Sequence, residues 1–246
     1  MPHQSLSEHP GVDGYCEVCP VFQDTFCGCL LQSAAQFLAP ALGQKPVMQT
    51  IGARRLILRQ GELADGIPVI CEGWAASWTI APNGRRQILS ILLSGDVVSS
   101  ALLFGPASPS SVEAITDVRC QNLPRDAFRS ALRANPGLVW RLSHVWVSEL
   151  AQKERLIVEL GQMSAEQRMA RLILDLFSRL SDRGSVRDQV MEFPLRHHHV
   201  ADLIGVSPTH VSNILSDFRQ DGTIQIADRS LVIRDMSRLR RAAEVR

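Results

Sequence analysis

The chain has 246 residues, with 26 Lys and Arg against 25 Asp and Glu, seven His and a formal net charge of +1. That length accommodates two medium domains with real cores. The even balance excludes a protein that coats nucleic acid through a global basic excess, so any contact with a polyanion must come from a local patch.

No run of about 18 apolar residues is present, and the start of the chain lacks a charged-then-apolar leader, so a cytoplasmic location is expected. In that compartment the six cysteines are expected to be ligands, redox thiols or buried hydrophobes rather than structural disulfides. Residues 1–30 form a cysteine-rich arm: Cys16, Cys19, Cys27 and Cys29 lie within fourteen positions, with a further Cys120 far downstream. A short amphipathic helix is expected over 30–42, closed by Pro40 and Gly43.

From about Thr50 to Leu123 the texture is that of short strands between glycines. Leu56–Leu58, Val69–Cys71, Ala75–Ile80 and Ile88–Leu93 are the candidate strands. Asn83-Gly84 after Pro82 marks a hairpin turn, both residues tolerating positive φ. Regular short strands with glycine turns predict a barrel or roll over 31–134. Trp74 and Trp78 share a strand face at period two and are read as packing residues, and Cys71 as a small buried hydrophobe.

Pro136 opens a helical pattern running to about Gly161. Val139, Leu142, Trp146, Leu150, Ile157 and Leu160 form an imperfect three-four stripe, and its length predicts a dimer-forming helix over 135–162. A second helix follows over 163–180, with Ser164 and Gln167 in the pattern of a capping box, then a polar loop to Gln189.

The stretch RHHHVADLIGVSPTHVSNILSDFRQDG, residues 196–222, reads as two short helices around a tight turn. Ala201, Gly205, Val211 and Ile214 fall where a helix-turn-helix needs a small residue, a turn glycine and buried aliphatics. Ser207 can cap the second helix with Pro208 at its first position. Val211, Ile214, Leu215 and Phe218 make the apolar stripe. Ser207, Thr209, His210, Ser212 and Asn213 are the candidate DNA contacts, short hydrogen-bonding groups suited to a major groove. His197, His198 and His199 are consecutive, so they fan out by about 100° each and cannot converge on one metal. They are expected to cover the start of the first helix. Thr223–Ala227 and Ser230–Arg234 read as the two strands of a wing, followed by a basic frayed tail over 238–246. From Arg196 onward the chain carries eight Arg and four His against six acids, a mild local tilt. The enzyme motifs GxSxG, GxGxxG and the Walker loop are absent, and no enzymatic function is expected.

Taken in order, these parts resemble the CRP/FNR family of transcription regulators. The resemblance rests on LILRQGELADGIPVICEGWAASWTIAPNGRRQILSILLSGDVV, SAEQRMARLILDLFSRL and FPLRHHHVADLIGVSPTHVSNILSDFRQDGTI, and covers nearly the whole chain. It implies an α+β fold: an N-terminal β-roll like a cyclic-nucleotide-binding domain, a long dimerisation helix and a C-terminal winged helix-turn-helix over 163–246. It also implies a homodimer on a two-fold symmetric double-stranded operator, with RNA polymerase as a further candidate partner.

No cyclic nucleotide is expected. The phosphate in this fold needs an arginine, and no basic residue occurs from Gly95 to Ile115. The arm instead resembles that of the oxygen-sensing FNR branch. The resemblance implies a 4Fe–4S cluster held by Cys16, Cys19, Cys27 and Cys120, with Cys29 as the alternative to Cys27. A structural zinc on the four arm cysteines, or a thiol switch, is the other reading. Two departures stand out. The spacing from Cys19 to Cys27 is two residues longer than the branch pattern. Cys120 is one step displaced relative to Pro124, and one step in a strand turns a side chain to the opposite face. In the recognition helix Thr209 and Asn213 stand where that branch has Glu and Arg, so an altered operator is expected.

Overall fold

The computed structural model describes Cys27 and residues 48–244. Cys16, Cys19, Cys29 and the helix expected over 30–42 lie outside the described residues. The chain forms two compact units. One is built from residues up to Trp78 with Ile91–Leu150, the other from Thr79–Ser90 with Ala151 onward.

Most of the first unit is an antiparallel roll, whose β4–β5 hairpin, Thr79–Ser90, falls in the second unit. Strands β1 (Met48–Ile51), β7 (Val118–Pro124) and β3 (Gly66–Glu72) form one sheet in the order β1-β7-β3. Strands β2 (Leu56–Leu58), β6 (Ser111–Ala114), β4 (Ala75–Ile80) and β5 (Arg86–Leu92) form the other, in the order β2-β6-β4-β5. Ile67, Ile70, Val112, Ala114, Val118 and Leu123 all lie in the shared core, and β3 and β7 are buried on both faces over part of their length. Helices α1 (Ala101–Phe104) and α2 (Arg125–Ala134) add Leu102, Leu103, Phe128 and Ala131 to it. Strands β1, β6 and β7 were not foreseen. Their sequences, such as VRCQNLP, intersperse polar residues without a continuous apolar run, and only pairing makes them strands: β7 with β3 and β1, β6 with β4 and β2.

Three details of the roll differ from expectation. In the β4–β5 turn only Gly84 takes positive φ (+78°), with Asn83 in ordinary conformation. Ala81 N–H donates to Arg85 O and Gly84 N–H to Ala81 O, which makes a three-residue loop with a left-handed glycine rather than a two-residue turn. Trp74 is fully buried just before β4, whereas Trp78 is only half-buried. Cys71 is half-buried, its thiol 3.9 Å from Val69 O.

Helix α3 (Pro136–Gln162) runs unbroken over 27 residues. Its apolar residues divide between two faces, which corrects the single stripe read from sequence. Leu138 and Leu142 are completely buried in the roll core, and Trp146 packs against it edge-on to Phe104 with ring centroids 5.1 Å apart. Leu142 and Trp146 are therefore not free to form an interface. The outward face carries Trp140 (71% exposed), Val147 (66%), Leu150 (57%) and Ile157 (70%), with Val139 and Val158 beside them. Trp140, Ser143, Val147, Leu150, Glu154, Ile157 and Gly161 follow one another at alternating spacings of three and four, the a/d seam of a coiled coil. Leu160 is half-buried, on the side of Gly205.

In the second unit α4 (Ala165–Asp182) begins at the expected capping box: Gln167 N–H donates to Ser164 Oγ and Ser164 N–H to Gln167 Oε1. Arg168 Nη1 donates to Met163 O at 3.0 Å and Leu160 O at 3.3 Å, satisfying carbonyls that the end of α3 leaves open. The polar loop ends in a third strand, β8 (Val190–Glu192), which the sequence reading missed. It is only three residues long and gains its identity by pairing with β10. Helices α5 (His197–Ile204) and α6 (Pro208–Gln220) follow, then β9 (Ile224–Ala227) and β10 (Ser230–Ile233) in a sheet of order β8-β10-β9. The tail expected to fray is instead helix α7 (Met236–Ala242), capped by Asp235, whose carboxylate accepts from Arg238 N–H. Leu239 is completely buried, and Arg171 of α4 donates to Ala243 O at 3.2 Å. No described helix is long and apolar enough to cross a membrane.

Candidate nucleic-acid interface

The turn between α5 and α6 is made by local chemistry. Gly205 sits at φ +70°, ψ 41°, the left-handed conformation that ends a helix, and its N–H and that of Val206 both return to Ala201 O. Ser207 then accepts from His210 N–H at 3.2 Å, with Pro208 in the first turn. Val211, Ile214, Leu215 and Phe218 are buried, which turns the remaining sides of α6 outward.

At about 100° per residue, the outward face is centred on Thr209, Asn213, Ser216 and Gln220, flanked by Ser212 and by His210 and Asp217. Thr209, His210, Ser212 and Asn213 are all exposed, as their candidate role requires. The Ser207 hydroxyl oxygen accepts once in the cap, leaving its O–H and its second lone pair for an outside partner. The spacing from Thr209 and Asn213 also puts Ser216 on this face, whereas sequence reasoning did not nominate Gln220, which donates to Ser216 Oγ at 3.1 Å. The same spacing was the available signal for Gln220. No Arg or Lys lies on this face; the nearest, Arg219, flanks it. Short neutral donors and acceptors can read base edges by hydrogen bonding, and Asn suits the paired edge of adenine.

Basic side chains are exposed on the wing and at the start of α5. Asp228 and Arg229 both adopt positive φ (48° and 62°), a type I′ turn that carries the Arg229 guanidinium at the tip of the wing. That guanidinium is well exposed and only loosely paired, 4.0 Å from Glu192. Arg196, His197 and His198 are exposed at the start of α5, where the first helix of such a motif crosses the phosphate backbone. His199 behaves differently from its two neighbours. It is buried, its Nδ1 accepts from Arg196 N–H at 3.2 Å, and it closes the first turn of α5. Burial first, then the positive field of His198, Arg86 and Arg196, lowers its pKa from 6.5 to about 4, so the ring is neutral. Only one of the three histidines thus covers the helix start.

Of the cysteines expected to hold a cluster, Cys27 and Cys120 are among the described residues. Cys27 is half-buried against the roll core, its N–H donating to Gly95 O at 3.1 Å. Cys120 lies on β7, paired with Ile70 and Gln49, on the same face as Val118 and inside the apolar core at 3% exposure. Burial pushes its thiol up to about 11. Among the described residues no group of three His, Cys, Asp or Glu side chains converges to hold a metal; Cys16, Cys19 and Cys29 lie outside them.

The roll segment after β5 is rich in serine. Ser77 Oγ and Ser110 Oγ are 2.9 Å apart, Ser108 Oγ lies 3.0 Å from Ser99 Oγ and 2.8 Å from Ser110 O, and Ser100 donates to Glu149. Ser77, Ser108, Ser110 and Ser111 are all buried. This network satisfies itself and contains no cation.

Comparison with known proteins agrees with the architecture. The model of the cyclic nucleotide-binding domain matches residues 48–135, and that of the Crp-like helix-turn-helix domain matches residues 167–242. The chain is 29% identical over 190 residues to the CRP-like cAMP-activated global transcriptional regulator of Mycobacterium tuberculosis, covering 76% of this chain and 84% of that protein. It is 25% identical to the anaerobic regulatory protein of Haemophilus influenzae over 80% of this chain and 74% of that one. The solved structure of FixK2 from Bradyrhizobium japonicum superposes with a TM-score of 0.72 at 24% identity, covering 81% of this chain and 98% of the other. With a roll, a long helix and a Crp-like reading head in one chain, this protein belongs to the CRP/FNR family of DNA-binding transcription regulators.

Proposed function

We propose that this regulator answers to redox state or oxygen through the cysteines of its N-terminal arm, and not to a cyclic nucleotide. The observation that carries the reading is the pairing of four cysteines within fourteen positions with a roll segment, 95–115, that holds no basic residue. A phosphate placed among Ser99, Ser108 and Ser110 would lack a countercharge and would have to break their mutual hydrogen bonds. One relative is named an anaerobic regulatory protein and another a cAMP-activated regulator, so the effector has to be decided on this chain's own residues.

A 4Fe–4S cluster needs four ligands. With Cys120 turned into the core, we assign these places to Cys16, Cys19, Cys27 and Cys29 in preference to the set that includes Cys120. The same four thiols would serve a structural zinc or a thiol switch. The output is a cytoplasmic homodimer that joins along Trp140, Val147, Leu150 and Ile157 and reads a two-fold operator, with RNA polymerase as the partner of the bound form.

The test is anaerobic purification followed by iron, sulfide and zinc analysis and an absorption spectrum before and after air. Iron and acid-labile sulfide with a visible band that bleaches in air support the cluster. Stoichiometric zinc without colour supports the structural metal. Metal-free protein whose operator affinity is unchanged by oxidant and reductant refutes the arm as the input.

A further inference from the structure

The end of the β4–β5 hairpin makes two contacts that the roll's own core does not need. Arg86 Nε donates to Asp202 Oδ2 at 2.7 Å, and both side chains are about three-quarters buried (24% and 28% exposed). The next residue, Gln87, donates through Nε2 to Leu203 O at 3.1 Å and to Ile88 O at 2.9 Å. Thr79–Ser90 belongs to the same compact unit as α5 and α6, although β4 and β5 enter it from the roll sheet.

Both contacts repair a defect that α5 cannot repair by itself. The last carbonyls of a helix have no partner within it. Leu203 O is one of these, because Gly205 and Val206 both direct their N–H groups to Ala201 O; Gln87 supplies the missing donor. Asp202 is a carboxylate in the last turn of α5, where the helix dipole disfavours negative charge, and no basic residue stands in that turn. Arg86 supplies the cation. His199, Asp202 and Leu203 occupy one face of α5 at spacings of three and four, and this face meets the hairpin. Gly205, the pivot between α5 and α6, follows two residues later.

We propose that Arg86 and Gln87 are positioning residues for DNA recognition, holding the last turn of α5 and so setting the angle at which α6 is presented to the operator. They touch α5 and act on the DNA through it. This inference rests on the DNA-binding reading and is independent of what the arm binds.

The experiment uses the full chain and a duplex enriched from a random pool by the unsubstituted protein. Arg86→Ala and Gln87→Ala should each weaken binding to that duplex about three- to thirtyfold, with unchanged affinity for a scrambled duplex and an unchanged salt slope, since neither residue neutralises a phosphate. The exchange Arg86→Asp with Asp202→Arg should recover most of the loss, and far-ultraviolet dichroism of each variant confirms folding. Gln87→Ala, which removes no charge, keeps the test decisive if an Arg86 variant fails to fold. The proposal is overturned if both single variants bind the selected duplex as tightly as the parent. It is equally overturned if Arg86→Ala lowers the salt slope by about one and the exchange does not rescue, because Arg86 would then be a direct phosphate contact. Failure of the unsubstituted protein to enrich any duplex overturns the DNA-binding reading along with it, and is recognised because the parent itself is silent.

Discussion

Replacing Gly205 by alanine measures how tightly the reading head is built. Gly205 holds φ +70°, where a Cβ costs about 1–2 kcal/mol through its clash with the carbonyl. A Cβ there would also stand 3.0 Å from Leu160 Cδ2, inside the optimum of about 3.5–4.0 Å for two carbons. Leu160 lies in the last turn of α3, whose end is tied by Arg168 to Leu160 O and Met163 O, so the methyl has little room to retreat. Gly222 is the control: its φ is +75° and nothing lies within 4 Å of its added Cβ. Gly222→Ala should therefore cost about 1 kcal/mol, and Gly205→Ala about 2 kcal/mol or more. Urea unfolding followed by dichroism, with all variants at one protein concentration because a dimer's stability depends on it, reads both values. Their difference isolates the Leu160 contact, and Leu160→Ala introduced beside Gly205→Ala should remove that difference. If Gly205→Ala is no more destabilising than Gly222→Ala, the packing of the turn against α3 is wrong.

The two faces of α3 should separate by experiment. Leu142→Ala, in the roll core, is expected to cost about 2–5 kcal/mol of stability, whereas Val147→Glu with Leu150→Glu should shift sedimentation to monomer and abolish operator binding while the roll stays folded. A reversed pattern would return Leu142 to the interface. For His199 the sign follows from its lowered pKa. Below pH 6.5 the unfolded chain takes up a proton that the folded ring refuses until about pH 4, so stability is complete above pH 6.5 and falls as pH drops through that window. His199→Gln should flatten this acid limb in thermal melts, and an unchanged limb would show that His199 is not the buried neutral ring described. Asn213→Arg, finally, should move base preference towards guanine at one position per half-site, worth about 1–3 kcal/mol of discrimination; selection from a random pool that returns the parental sequence would exclude Asn213 from base contact.

Much of the reading head was legible before any coordinates. The Ser207 cap, the Pro208 start, the Gly205 turn and the stripe of Val211, Ile214, Leu215 and Phe218 each depend on residues within one or two turns, so spacing alone identifies them. The capping box of Ser164 and Gln167 and the wing strands around Asp228 and Arg229 were readable for the same reason. Ser216 was legible on the same face by its spacing, and Gln220, one further turn along, continues that face.

What the chain determined by itself, then, is the identity of its local devices: caps, turns, helix periods and the absence of a cation between Gly95 and Ile115. The tertiary structure decided orientation and partnership. Pairing with β3 made β7 a strand and turned Cys120 inward, against the role its spacing suggested. Packing of Leu138 and Leu142 into the roll claimed one face of α3 and left Trp140, Val147, Leu150 and Ile157 to form the seam. Leu239 converted a basic tail into a docked helix, and Arg86 found Asp202 across 116 positions of sequence. Each of these depends on a partner distant in the chain, and a short window of sequence carries no record of which face that partner will cover.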